Sequence, residues 1–434
     1  MKTVIMAGGR GTRISQIAPD IPKPMIEIDG MPVLEREIYC LRGQGFTDIV
    51  LTVGYKADLI VDYFGDGNKI SPATGEPFGV DISYFVEETP LGNAGALFQL
   101  DLQDDFLLLN ADAIFDIDFN RMVDFHKSHN ATVTLFTHPN SHPYDSGLII
   151  ANDNHMVLSW LSKEDERPKY YKNRVNAGLH VISPSILRNK PDTPKIDLDR
   201  QLLRALVGTG KMFCYDSPEY VKDMGTPERY YSVAEDFKSG RVTSKNLRNK
   251  QKAVFLDRDG TINNYVGFLR DLDEFELIPG VANAVKKINA SGYLAIVITN
   301  QPVIARGEVS FEKLDEIHNK METLLGLGGA YLDSIYFCPH HPHSGYEDEV
   351  PELKFDCDCR KPKPGMIMKA AEDFNIDLSQ SWMVGDSEHD VKAGKNAGCK
   401  TVLLVGEGTD SKRGYDFEQD MTCESLMEFV EKVL

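Results

Sequence analysis

A chain of 434 residues exceeds one ordinary compact domain, so two or three domains are expected. Its 42% hydrophobic and 26% charged residues suit globular protein, and a formal charge of −19 argues against a nucleic-acid groove or an anionic membrane surface as partner. The start, MKTVIMAGGRGTR, runs from a short strand straight into a glycine loop, and no apolar run approaches the ~20 residues of a membrane span. The expected location is therefore the cytoplasm, where cysteines crowded near His340 read as metal ligands rather than disulfides.

The first half alternates apolar strands (3–6, 48–53, 80–85, 106–109, 131–136) with amphipathic helices (33–44, 56–64, 120–128). Such alternation predicts a largely parallel sheet covered on both faces. A further helix is expected at 227–238. Residues 239–252, SGRVTSKNLRNKQK, are polar and basic and read as a linker between a domain at 1–238 and another at 253–434. The second domain opens on the strand AVFLD, followed by a helix at 281–290 and the strand LAIVIT.

Gly8, Gly9 and Gly11 follow the first strand, with Thr12 and Arg13 beside them and Lys23-Pro24 ten residues on. Glycines let backbone N–H groups approach phosphate oxygens, and the cations add charge-assisted contacts. By itself this is either a phosphate cradle or a plain tight turn. Four later segments add weight: ETPLGNAG with Glu88 and Gly92, FLLLNAD ending in Asp112, Asn176-Ala177-Gly178, and Asp223-Met224-Gly225-Thr226-Pro227. In this order they resemble the signature of sugar-1-phosphate nucleotidylyltransferases across residues 1–230.

That resemblance implies in-line attack of a sugar phosphate on the α-phosphorus of a nucleoside triphosphate, with pyrophosphate leaving. It implies Asp112 and Asp223 as Mg²⁺ ligands, Arg13 and Lys23 as triphosphate cations, and Gly92 and its neighbours facing the base. It further implies Lys163 and Asn176 on the sugar phosphate, although this chain has Ser162-Lys163-Glu164 where the family usually shows Glu-Lys-Pro. Mannose-1-phosphate guanylyltransferase-like enzymes are the most similar members, which makes GTP the expected donor.

In the second half AVFLDRDGTIN places Asp257 and Asp259 at a strand's carboxyl end. Thr299-Asn300-Gln301, Arg360-Lys361 and Gly385-Asp386 with Asp390 follow in order. Cys338, His340, Cys357 and Cys359 make two pairs of ligands suited to a closed tetrahedral Zn²⁺ site, with His341 and His343 as competing imidazoles.

The four acidic and basic motifs resemble the haloacid-dehalogenase superfamily. That likeness implies Asp257 as nucleophile and Asp259 as general acid/base. Thr299, Arg360 and Lys361 would bear on the phosphoryl oxygens, and Mg²⁺ would lie among Asp257, the Asp259 carbonyl and Asp386. Asp390 would be either a ligand or a partner of one. With the Cys-Pro-His-His turn and CDCRKP, the domain is similar to heptose-1,7-bisphosphate phosphatases, in which Asn300 and Arg306 would face the substrate. It departs from them at Pro302-Val303, where the family has Ser-Gly.

The fold expected from both resemblances is α/β in two domains. The first is a Rossmann-like nucleotidyltransferase with a mixed, mostly parallel sheet. The second is a Rossmannoid haloacid-dehalogenase-type domain with a zinc-stapled loop. Consecutive dephosphorylation and nucleotidyl transfer on heptose phosphates would follow. The rival readings are the same chemistry on another sugar or a histidinol-type phosphate, and one half serving only as a binding module. Oligomeric state is not legible.

Overall fold

The computed structural model of the chain describes every residue except 10–13, 15, 163 and 412–415. It forms two compact units, one of Met1–His138, Ile149–Leu161 and Asn176–Asn246, the other of Pro139–Leu148, Ser162–Val175 and Leu247–Leu434.

The elements of the first half, in chain order, begin with β1 (Thr3–Met6), β2 (Glu27–Ile28), β3 (Met31–Pro32), α1 (Val33–Arg42), β4 (Asp48–Val53), α2 (Ala57–Phe64) and β5 (Asp81–Val86). There follow β6 (Phe106–Asn110), β7 (Ala113–Asp116), α3 (Phe119–Ser128), β8 (Val133–His138), β9 (Leu148–Ala151) and β10 (Val157–Leu161). The series ends with β11 (Val175–Ile182), β12 (Met212–Asp216), β13 (Tyr220–Asp223), α4 (Pro227–Lys238) and α5 (Arg241–Ser244).

The main sheet is mixed, in the order β10-β9-β11-β6-β1-β4-β5, with β8 and β12 attached beside β11. Strands β6, β1, β4 and β5 run parallel, and β11 is antiparallel to β6. Alternation along β1 sorts the core. Ile5 packs with Leu34, Ile38, Ile60 and Phe64 of the helices, while Val4 packs on the other side with Leu108, Val133 and Leu198. Helix α3 starts where the Asp118 side chain accepts from the N–H groups of Asn120 and Arg121. Residues 239–252 are not featureless: they include α5, and Val242 is buried.

The remaining elements are β14 (Lys252–Leu256), α6 (Val281–Ala290), β15 (Tyr293–Asn300), α7 (Phe311–Leu327), β16 (Ser334–Cys338), α8 (Gly365–Asp373) and β17 (Trp382–Gly385). They end with α9 (Glu388–Ala397), β18 (Lys400–Leu404), β19 (Met421–Cys423) and α10 (Leu426–Val433). The sheet, β16-β15-β14-β17-β18-β19, is parallel throughout. Val254 and Leu256 face α6, α7 and α10, whereas Ala253 and Phe255 face α8 and α9. Such a sheet needs cover on both faces, and its strands read as continuous apolar runs.

This unit also takes in two stretches of the first half. The N–H of Tyr171 donates to Thr323 Oγ1 at 2.9 Å and that of Asn173 to Glu322 Oε2 at 2.7 Å, fixing residues 171–173 on α7. Among the described residues no helix is long and apolar enough to cross a membrane.

Candidate active sites

In the first unit a cavity of about 740 Å³ opens at the carboxyl ends of β1, β4 and β6, where parallel strands present their loops. Gly8, Gly9, Lys23, Glu88, Gly92 and Asp112 line it, together with Tyr55, Glu87 and Asn110, which the sequence did not single out. Gly11, Thr12, Arg13 and Lys163 lie outside the described residues. Lys23 is buried, and its Nζ donates to Asp112 Oδ2 at 2.6 Å.

Asp223 ends β13 beside Ala113, accepts from the N–H of Gly225 at 2.7 Å and pairs with Arg229. Its burial would raise its carboxyl, but the Arg229 and Gly225 donors and Lys23 outweigh that and hold it below the usual range. Gly225 reaches the cavity wall, whereas Asp223 and Asn176 do not line it. Two carboxylates within the field of one lysine can share a magnesium ion with phosphate oxygens.

Backbone shape does much of the work here. Gly92 has φ +84, and a Cβ there would fall 2.3 Å from the Ile196 carbonyl oxygen. Asn93 Oδ1 accepts from the N–H of Leu198 at 2.7 Å, which ties the same turn down.

The second unit's cavity, about 290 Å³, is lined by Asp257, Asp259, Thr299, Asn300, Arg360, Lys361 and Asp386, among others. Asp257, Asp259 and Asp386 follow the ends of β14 and β17, Thr299 and Asn300 end β15, and Arg360 and Lys361 come from the segment between β16 and α8. Lys361 is buried; its Nζ reaches Asp257 Oδ1 at 2.8 Å, Asp390 Oδ1 at 2.5 Å and the Ile298 carbonyl at 2.8 Å. Burial alone would lower this ammonium, yet Asp257 and Asp390 raise it, so it stays charged. Asn300 brackets the same residue through both its backbone groups, at 3.0 and 3.1 Å.

Burial, then Asp390, pushes Asp257 up to about 7; burial, then Asp257 and Asp390, pushes Asp386 up to about 8. Oxygens of Asp257, Asp386 and Asp390 lie within 4.8 Å of one another. Carboxyls buried this close to one another fit a divalent cation, which would offset the cost of burying their charge and their mutual repulsion. Gly260 makes room for them, since a Cβ there would be 1.8 Å from Asp386 Oδ2.

Asp259 is caged differently. It accepts from Arg258 Nε and Nη2, Asn263 Nδ2 and Gln301 Nε2, at 2.8 to 3.2 Å. Burial works to raise its carboxyl, but these donors win and hold it low. Sequence reading missed this cage, because nothing in a single chain marks Arg258 or Asn263 as facing the aspartate.

Arg306 does not line the cavity. Its guanidinium lies between Phe268 and Tyr346, 3.9 and 4.7 Å from their ring centres, and Phe268 itself lines the cavity.

Cys338, His340, Cys357 and Cys359 converge. The sulfurs are 3.2 to 3.5 Å apart, and His340 Nδ1 is 3.2 Å from Cys359 and 3.6 Å from Cys338. Zinc bonds of about 2.0–2.3 Å place tetrahedral ligand pairs roughly 3.5–3.8 Å apart, so the four donors fit Zn²⁺ with little movement. The neighbouring sulfurs Cys338 and Cys357 and then His340 bring the Cys359 thiol down to about 5, the direction that suits a metal ligand. His341 instead faces the His343 carbonyl and Arg306. Arg360, next to Cys359, donates to the His340 carbonyl at 3.2 Å, linking the cysteine–histidine cluster to the cavity wall.

Residues 2–240 match the Nucleotidyl transferase family model, more than half of the chain, and 358–429 match the HAD-hydrolase-like model. The chain belongs to the nucleotidyl transferase family and carries a haloacid-dehalogenase-type phosphatase in its second half. Over 181 residues it is 41% identical to the D-glycero-beta-D-manno-heptose-1,7-bisphosphate 7-phosphatase of Haemophilus ducreyi, covering 42% of this chain and 97% of that protein. The enzyme of the same name from Pasteurella multocida is 44% identical over 158 residues, 36% of this chain and 83% of the other. The second half therefore belongs to the heptose-bisphosphate phosphatase family, and the protein is an enzyme with transferase and phosphatase activities. A solved structure, HddC from Yersinia pseudotuberculosis complexed with GMP-PN, is 27% identical, covering 54% of this chain and 99% of its own, with a TM-score of 0.44.

Proposed function

We propose that the chain carries out two consecutive steps on one sugar. The 7-phosphate of D-glycero-D-manno-heptose 1,7-bisphosphate is removed first. The resulting heptose 1-phosphate then attacks the α-phosphorus of GTP, giving GDP-heptose and pyrophosphate. The observation that carries this reading is the union of two matches in one chain. A nucleotidyl transferase sequence is followed by a segment matching nearly the whole length of a heptose-bisphosphate phosphatase. The choice of GTP rests on the resemblance of the first-half motifs to guanylyltransferase-like enzymes.

In the phosphatase, an oxygen of Asp257 bonds to phosphorus as the sugar oxygen leaves, forming an aspartyl-phosphate that water then cleaves. Lys361, held by Asp390, keeps Asp257 oriented and bears on the phosphoryl oxygens. Asp259, ionised in its cage, is set to take the proton of that water. Its donation to the leaving oxygen in the first half-reaction requires the cage to loosen when substrate enters. Bound Mg²⁺ would neutralise phosphoryl charge, with Asp257, Asp386 and the Asp259 carbonyl as its ligands.

In the transferase, Lys23 and the glycine loop would hold the triphosphate, and Asp112 with Asp223, which ends β13 beside Ala113, would hold a Mg²⁺ that neutralises its charge. Asn176 is assigned to the sugar phosphate together with Lys163. Zn²⁺ held by the cysteine cluster would be structural, since four protein ligands leave no place for water.

The test is incubation of the full-length enzyme with Mg²⁺, each anomer of the bisphosphate, and GTP, ATP, CTP or UTP in turn. Phosphate release followed by a single nucleotide-heptose, with GTP, is the expected result. Phosphate without nucleotide-sugar for any base refutes the transfer step, and no phosphate refutes the heptose substrate.

A further inference from the structure

The first unit contains a second convergence of metal-type donors, on elements that neither proposed reaction uses. Cys214 and Asp216 stand two residues apart on β12 and so share one face. His155 sits in the turn between β9 and β10. That turn is docked beside them, because the N–H of Cys214 donates to the His155 carbonyl at 2.9 Å. His Nδ1 or Nε2, the Cys Sγ and a carboxylate oxygen lie within 4.8 Å of one another. None of the three residues lines the triphosphate cavity.

Each donor is held in place by something else. Asp216 Oδ1 accepts from Thr137 Oγ1 at 2.6 Å, and its Oδ2 lies on the side of the imidazole. A carboxylate steadied in this way is the usual support of a metal ligand. His155 has φ +60, a costly backbone for a residue with a side chain. The turn is pinned by Asn152, whose Oδ1 accepts from the N–H groups of Asn154 and Met156. The imidazole is wedged edge-on to Phe125.

The decisive detail is His155 Nδ1. It is shielded from solvent and makes no hydrogen bond, and the nearest acidic oxygen, Asp216 Oδ2, is 3.8 Å away. That gap is too long for a hydrogen bond. Two ligands on one zinc ion, at about 2.0–2.2 Å each, stand roughly 3.3–3.8 Å apart at ordinary angles. The gap therefore has the width of a small cation.

We propose that His155, Cys214 and Asp216 form a second transition-metal site, best suited to Zn²⁺. One sulfur, one nitrogen and one oxygen favour zinc over magnesium or calcium. Three protein ligands leave a fourth position for water. His155 and Asp216 are partly exposed, which gives the ion a way in, while the sulfur of buried Cys214 lies against the same turn, 3.4 Å from the His155 carbonyl. Bound there, the metal ties the 152–156 turn to β12.

The experiment is zinc stoichiometry on the full-length protein, loaded with ZnCl₂ and passed through metal-free buffer. Two zinc ions per chain are expected. His155→Gln and the isosteric Asp216→Asn are each expected to leave one, with phosphate release from the bisphosphate unchanged. Loading with Co²⁺ adds a sulfur-to-cobalt band whose intensity falls by about a quarter in His155→Gln, because one of the four cysteine ligands loses its metal. A wild-type stoichiometry of one, unchanged by both substitutions, overturns the proposal. So does a second equivalent that survives both. Neither outcome depends on which sugar or nucleotide the enzyme uses.

Discussion

The two cavities are lined by different chemistry. Among the described residues, the larger is walled mostly by backbone and apolar side chains, with Lys23, Glu87, Glu88 and Asp112 as its charged groups. The smaller concentrates Asp257, Asp259, Arg360, Lys361, Asp386 and Asp410 in less than half the volume. A long, flexible triphosphate is held by many N–H groups and a shaped turn, whereas breaking one phosphate ester calls for closely packed charges. The first site should therefore be sensitive to backbone geometry, and the second to single charges.

The sharpest test of that contrast is Asp257→Asn. Removing the nucleophile should cut phosphate release by at least about 10³-fold. Nucleotidyl transfer to supplied heptose 1-phosphate should stay within about twofold of the wild type. Parallel assays of the two half-reactions read both. A matching fall in transfer would mean that the two sites are not chemically separate.

Lys23→Ala is the counterpart in the first site. With its partner Asp112 left unpaired and the triphosphate short of a buried cation, transfer should fall about 10²- to 10³-fold. Phosphatase turnover should not move. A fall below tenfold would show that the neighbouring arginines of the glycine loop carry most of the charge stabilisation.

Gly92→Ala probes shape alone. The new Cβ would overlap the Ile196 carbonyl at a positive φ, so the turn must shift or strain by about 1–3 kcal/mol. The KM for the nucleotide should rise several-fold, with phosphatase kinetics unchanged. An unaltered KM would show that this turn does not face the nucleotide.

The same contrast explains what could be read from the sequence. Strand and helix positions were legible because β1, β4, β6, β14 and β15 are unbroken apolar runs and α1, α4 and α6 carry clear periodicity. That Asp257, Asp259, Thr299, Arg360, Lys361 and Asp386 gather in one cavity was legible because such chemistry needs particular residue types near strand ends. The choice of base was not, since a glycine turn can contact a ligand only through atoms every residue has. Nor could the sequence show that 139–148 and 162–175 fold with the second unit, because residues such as Asn173 and Glu322 meet only through tertiary packing. Arg306 reads as a substrate contact, yet it is stacked between two aromatic rings.

The subtlest expectation concerns pH. In the metal-free second unit, burial and like charges raise Asp257 to about 7 and Asp386 to about 8. An unfolded aspartate titrates near ~3.9. The folded state thus binds more protons between those limits, and their contribution to stability is fully present below about pH 4. It is lost as pH rises through 7 and 8, a difference on the order of a few kcal/mol. Magnesium needs the carboxylates ionised, so it should restore more stability at high pH than at low. In protein desalted without chelator, so that zinc stays bound, the rise in melting temperature on adding Mg²⁺ should be several degrees larger at pH 8 than at pH 6. Asp386→Asn should remove most of that difference, because the amide has no proton to release and no charge to offer. An equal response to Mg²⁺ at both pH values in the wild type would show that these carboxyls are ionised before the metal arrives, and that Lys361 already offsets their mutual repulsion.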